Sequence, residues 1–246
     1  MTPILAFNIA TIPDTEGLRT VYGTGEHANA EQLAEIAFQQ GRQSHVQDHL
    51  PLHLHRIAAV SCTLRDDEHF HVWSTGNGSD GEATLIQQFF DAIAKHKPQS
   101  VSWYGTSFDL PLLVYRTIIH DLTAPRQWGI DKHDQHLSLM DEMACRQPTV
   151  FASRYDMAKL CGLPAMPEQE PNQLWQDWQA GRVDEIRQRN EIDALNTHLL
   201  YLRYERLRGN LTAAQYQSEC ELIKNSLILL DAPHWIEYLL KWQTAA

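Results

Sequence analysis

RIAAVSCTLRDDEHFHVWST, residues 56–75, holds two runs of strand-forming residues around an acidic break. Ile57, Val60 and Thr63 mark the first run, and Phe70, Val72 and Trp73 mark the second. Asp66, Asp67 and Glu68 supply the turn, so the two runs read as an antiparallel hairpin. Upstream, ILAFNIATIPD (4–14) reads as a strand that stops at Pro13-Asp14. Downstream, QSVSWYG (99–105) is a short strand closed by Gly105. Helical patterns lie between these strands. One is AEQLAEIAFQQGRQ (30–43), a helix ending near Gly41, after a polar, glycine-containing stretch at 14–30. Another is EATLIQQFFDAIAKHK (82–97), with Leu85, Phe89 and Ile93 on one face and Pro98 as its stop. A hairpin set among alternating strands and helices predicts one α/β domain with a mixed sheet.

The remainder is mostly helical. SFDLPLLVYRTIIHDL (107–122) carries Asp109 in its first turn, with Pro111 tolerated there. HLSLMDEM (136–143) reads as a last strand or a helix start. SRYDMAKLCGLP, NQLWQDWQAGR and a long segment from Val183 to Gly209 follow as helices. Residues 206–246 form a C-terminal helical extension of a single domain spanning 1–246.

Bulk properties narrow the function. A net charge of −11 repels phosphate polyanions at long range, which argues against a non-specific nucleic-acid coater. It bears less on an enzyme whose cations bring positive charge with them. Cys62, Cys145, Cys161 and Cys220 show no C-x-x-C spacing, as expected of a reduced, cytoplasmic protein. No signal peptide and no membrane span are expected.

In a strand, alternate side chains share a face, so Ala6, Asn8 and Ala10 look the same way. That face is small and uncharged. FNIATIPD, VSWYGTSFDLPLL and RNEIDALNTHLLYLR together resemble the 3′–5′ exonuclease family related to the proofreading domain of DNA polymerase B. HLHRIAAVS, HLSLMDEM and SRYDMAKLCGLP followed by LWQDWQAGR also look like that family's segments, so the likeness runs from residue 4 to about 205. It implies a ribonuclease-H-like fold, a mixed β-sheet flanked by helices. It also implies a site where four acids hold two magnesium or manganese ions about 3.5–4 Å apart. The expected partner is a single-stranded nucleic-acid 3′ end.

This chain departs from the family pattern. Asn8 and Ala10 stand where the first-strand Asp and Glu belong, Tyr104 replaces an Asn, and Arg189 replaces a water-orienting Tyr. Asp109 and Asp193 are the two acids that match, and the two candidate metal ligands if any metal binds. Arg189 lies four residues before Asp193 on a helix, so the expectation is that Arg189 neutralises Asp193, and Asp109 with it, in place of the lost metal. Four departures fit natural decay better than an engineered knock-out. Hydrolysis is then expected to be lost or severely weakened, with magnesium or manganese not tightly held. Two alternatives stand beside this: a working magnesium- or manganese-dependent exonuclease with an altered site, and a non-catalytic interaction scaffold.

Other residues offer less. Asp14 and Glu16 read as turn and solvent residues, and Asp141 as structural. His45, His49, His53 and His55, and the pair His133 and His136, have metal-like spacings. Thirteen histidines make chance clusters easy, so solvated or core histidines are the expectation. Tyr104 and Phe108 are the aromatic candidates for nucleic-acid contact, while Trp103, Trp175 and Trp178 read as core.

Overall fold

A computed structural model describes residues 2–23, 29–35, 50–76, 79–126, 128, 135–147, 149–167 and 169–244. Five strands form one sheet in the order β3-β2-β1-β4-β5. They are β1 (Ile4–Pro13), β2 (His55–Asp66), β3 (His69–Ser74), β4 (Gln99–Ser102) and β5 (His136–Ser138). β2 runs antiparallel to both β1 and β3, whereas β4 runs parallel to β1 and to β5. This mixed sheet flanked by helices is the ribonuclease-H-like arrangement.

The helices are α1 (Thr15–Tyr22), α2 (Glu82–His96), α3 (Leu110–Ile119), α4 (Leu139–Met143) and α5 (Arg154–Leu160). Then come α6 (Pro171–Gln179), α7 (Val183–Leu207), α8 (Ala213–Leu229) and α9 (Pro233–Thr244). The period of two in β1 divides the core. Leu5, Phe7 and Ile9 pack on one face against Ile86, Phe89 and Leu112 of α2 and α3. Ala6 belongs to the opposite face, packed with Val101, Trp103 and the Leu195 and Leu199 side chains of α7. Small residues on that face let the long α7 lie close over β1 and β2. Ile223 and Leu227 of α8 and Trp235, Tyr238 and Trp242 of α9 join the same cluster. The last two helices thus share the core of the sheet. Arg65 of β2 also forks onto Glu219 of α8, at 2.7 and 2.9 Å.

Several local readings change. The stretch after β1 holds a helix, α1, because Asp14 caps it by accepting from the Gly17 backbone N–H at 3.0 Å. Asp14 is also no solvent residue: Arg116, itself buried, joins it at 2.7 Å and grips Glu82 of α2. Asp109 closes a π-helical turn, Gly105–Asp109, that precedes α3. HLSLMDEM is both alternatives in succession, β5 and then α4. Of the helix expected from residue 30 to about Gly41, residues 30–35 are helical and the rest lies outside the described residues, as do His45, His49 and His133. No helix among the described residues is long and apolar enough to cross a membrane.

Candidate functional site

The register of the sheet places Asn8 opposite Ser61, and Ser61 opposite Ser74. A polar row therefore crosses three strands under α7. Asn190 of α7 is buried above it and donates its Nδ2 to the Asn8 carbonyl at 2.9 Å and to Ser61 Oγ at 2.8 Å. Its Oδ1 accepts from Asn8 Nδ2 at 2.6 Å. Ser61 and Ser74 share a hydrogen bond at 2.8 Å, and Ser74 donates to Glu191 at 2.7 Å. His234 of α9 meets the other Glu191 oxygen at 3.1 Å. Buried polar groups cost free energy unless partnered, so this connected row fixes the register of α7 on the sheet.

Arg154 closes the row at the other end. Its Nη1 donates to Asn8 Oδ1 at 2.6 Å, and its Nη2 meets Asp193 Oδ2 at 2.7 Å. The guanidinium side chain is 8 % exposed and that of Asp193 is 20 % exposed. The geometry corrects the expectation for Arg189, whose Nη1 instead contacts the Met166 sulfur at 3.7 Å. A spacing of four permits an ion pair on a helix surface, but Arg154, arriving from α5, takes the carboxylate. Sequence reading missed Arg154. Nothing local marked it: a cation in the first turn of a short helix is only mildly unfavourable and is commonly solvated.

Asp109 lies buried at the end of the π-helical turn. Burial pushes its carboxyl up to about 6, against the downward pull of a Ser102 hydrogen bond, the Arg154 charge and the Tyr104 backbone. Arg154 is thus the cation that acts on both matching acids. The turn that holds Asp109 is tight. Gly105 packs so close to β5 that an added Cβ would stand 2.4 Å from His136 Nε2. His136 itself is held by Ser100 Oγ at 2.9 Å, and burial lowers it to about 4. Tyr104 is half-buried against the α7-side core. Phe108 is half-buried too, its ring edge-on to His55 at 5.6 Å. Trp103 and Trp175 are buried in the core, and Trp178 packs partly buried against it. Asp141 accepts from Thr106 and so braces the turn.

Ala10 faces an apolar patch. It packs with Ala59 and Ile186, with Leu174 and Trp178 of α6 alongside. A carboxylate at this position would lose part of its hydration to that apolar surface. The donor set does not fit a two-metal centre. Asn8 brings no charge, Ala10 brings no donor, one acid is committed to a guanidinium and the other is buried. Among the described residues no three His, Cys, Asp or Glu side chains converge in a way that could hold a metal ion.

Comparison with known protein families matches residues 47–242 to a family described as a predicted 3′–5′ exonuclease related to the exonuclease domain of PolB. The chain belongs to this family. The match spans β2 through α9 and so takes in the last two helices, while β1 with Asn8 and Ala10 lies before it. On that unmatched strand, Ala6, Asn8 and Ala10 share a face without an acid. No curated protein matches the chain.

Proposed function

We propose that this chain uses an exonuclease fold to bind nucleic-acid 3′ ends, with two-metal phosphodiester hydrolysis lost or severely weakened. The observation that carries the reading is the Arg154 bridge between Asn8 and Asp193. A guanidinium is always protonated and repels divalent cations, and here it spends its donors on the two positions a metal would need. Asp109 and Asp193 are the surviving acids, and Asn8, Ala10 and Arg189 the degenerate positions. Neutralising Asp193 also removes repulsion that a bare acidic cluster would exert on a phosphate. Tyr104 and Phe108, half-buried in the turn that leads to Asp109, are the aromatic candidates to meet a terminal base.

A 3′-labelled single strand incubated with magnesium or manganese tests hydrolysis. The expected result is an intact strand with the unmodified chain. The Asn8→Asp/Ala10→Glu/Arg189→Tyr variant should stay inactive while Arg154 remains, and adding Arg154→Met should let manganese bind. Ready cleavage by the unmodified chain would overturn the reading. Binding of the same strand across a salt series tests the cleft, since phosphate contacts give a salt slope and a scaffold gives none.

A further inference from the structure

Beside the polar row, on the β5 side, lies a groove of about 420 Å³ that the nucleotide reading does not use. Its walls come from α4, α5, the end of α7 and the segment before α5. Trp103, Met140, Met143, Met157, Phe151 and Leu207 are prominent in the lining. Phe151 and Leu207 stand 52 % and 82 % exposed, so the apolar surface continues beyond the groove onto the protein's exterior. Methionine-rich walls adapt to differently shaped apolar side chains. Contiguous exposed apolar surface of this kind marks a contact site.

The charge around the groove says what covers it. Arg203 lines the groove and Arg206 flanks Leu207. Both guanidiniums lie over the Tyr216 ring, at 5.6 and 5.1 Å. Arg203 donates to the Tyr216 hydroxyl and the Cys161 carbonyl, and neither arginine has a carboxylate partner among the described residues. The neighbouring acids are already taken: Glu142 by Arg146 and Tyr204, Glu205 by Arg208 and Asn210. A chain of net charge −11 thus keeps two arginines, among its described residues, without a carboxylate partner around one tyrosine ring, and one of them, Arg203, lines the apolar groove. Nucleic acid needs a row of cations along a backbone track, whereas this groove has one guanidinium in an apolar wall.

From this juxtaposition we infer that the groove docks a short acidic, apolar segment of a protein partner. Two or more large apolar side chains enter among the methionines, and a carboxylate reaches Arg203 and Arg206. The inference stands apart from the nucleotide reading, since no residue of the polar row takes part.

A random dodecapeptide library displayed on phage, panned on the full chain and depleted on Leu207→Asp, tests it. Leu207 is largely exposed, so that variant keeps the fold. Selected peptides are expected to carry at least two large apolar residues and an Asp or Glu. Labelled and titrated, they should bind Leu207→Asp about tenfold more weakly or worse. Arg203→Gln/Arg206→Gln should weaken binding several-fold and flatten its salt dependence. Four results would each overturn the proposal: no enrichment after depletion, peptides without acidic bias, equal binding by the variants, or displacement of the peptide by oligothymidylate. A concentration-dependent dimer abolished by Leu207→Asp would do so too, by assigning the groove to a second copy of the chain.

Discussion

Arg154→Met removes the charge that joins β1 to α7 while keeping most of the side-chain volume. Three consequences add up. Asp193 loses its ion pair at 2.7 Å, Asn8 Oδ1 loses a charged donor at 2.6 Å, and buried Asp109 loses a cation that acts on it. Breaking one side of a buried pair costs about 3–5 kcal/mol. Asp193 is one-fifth exposed and water can take over part of its solvation, which places the loss near the lower end, about 3 kcal/mol. At about 2–4 °C per kcal/mol for a chain of this size, the melting temperature should fall by roughly 6–12 °C. Urea unfolding of the unmodified chain, Arg154→Met, Asp193→Asn and the double variant measures the loss and the coupling together. The double variant should lose well under the sum of the two single losses, with a coupling of about 1–3 kcal/mol. If Arg154→Met lies within about 0.5 kcal/mol of the unmodified chain and the coupling vanishes, the bridge does not exist in solution and the reading of the site fails with it.

Further outcomes follow from the same geometry. Asp109 binds its proton more tightly folded than unfolded, so its contribution is complete below about pH 4 and is lost as pH rises through about 6. Relative to Asp109→Asn, the unmodified chain should therefore lose about 2 kcal/mol between pH 4 and 7, and a flat difference in urea unfolding would contradict this. His198 has the opposite sign: burial holds it near 3, so stability should decline by about 2 kcal/mol from pH 6.5 to 4.5 and not do so in His198→Gln. Gly105→Ala forces a methyl against His136 and Ser138, and calorimetry should record a loss of about 1–3 kcal/mol. An unchanged melting temperature there would mean the π-helical turn is looser than it stands.

The hairpin, the first strand and the helix at 82–97 were legible because their patterns are local. A period of two or of 3.6 repeats within a dozen residues, and burial enforces it. α1 escaped notice because only Leu18 of its residues is buried, and its start rests on a single capping side chain, Asp14. The two matching acids could be found by spacing within a motif. The cation between them could not, because Arg154 reaches Asn8 across 146 residues of chain. Arg189, the local candidate, has the right spacing and the wrong partner.

The sequence by itself determined the strands and the alternation that leaves Ala6, Asn8 and Ala10 on one face with no acid among them. These follow from side-chain chemistry read along a single stretch. Only the tertiary structure decided what meets that face: Arg154 against Asn8 and Asp193, Asn190 across the strands, and apolar residues around Ala10. Charges and hydrogen bonds pair by proximity in space, and the sheet register and the crossing of α7 bring those partners within reach.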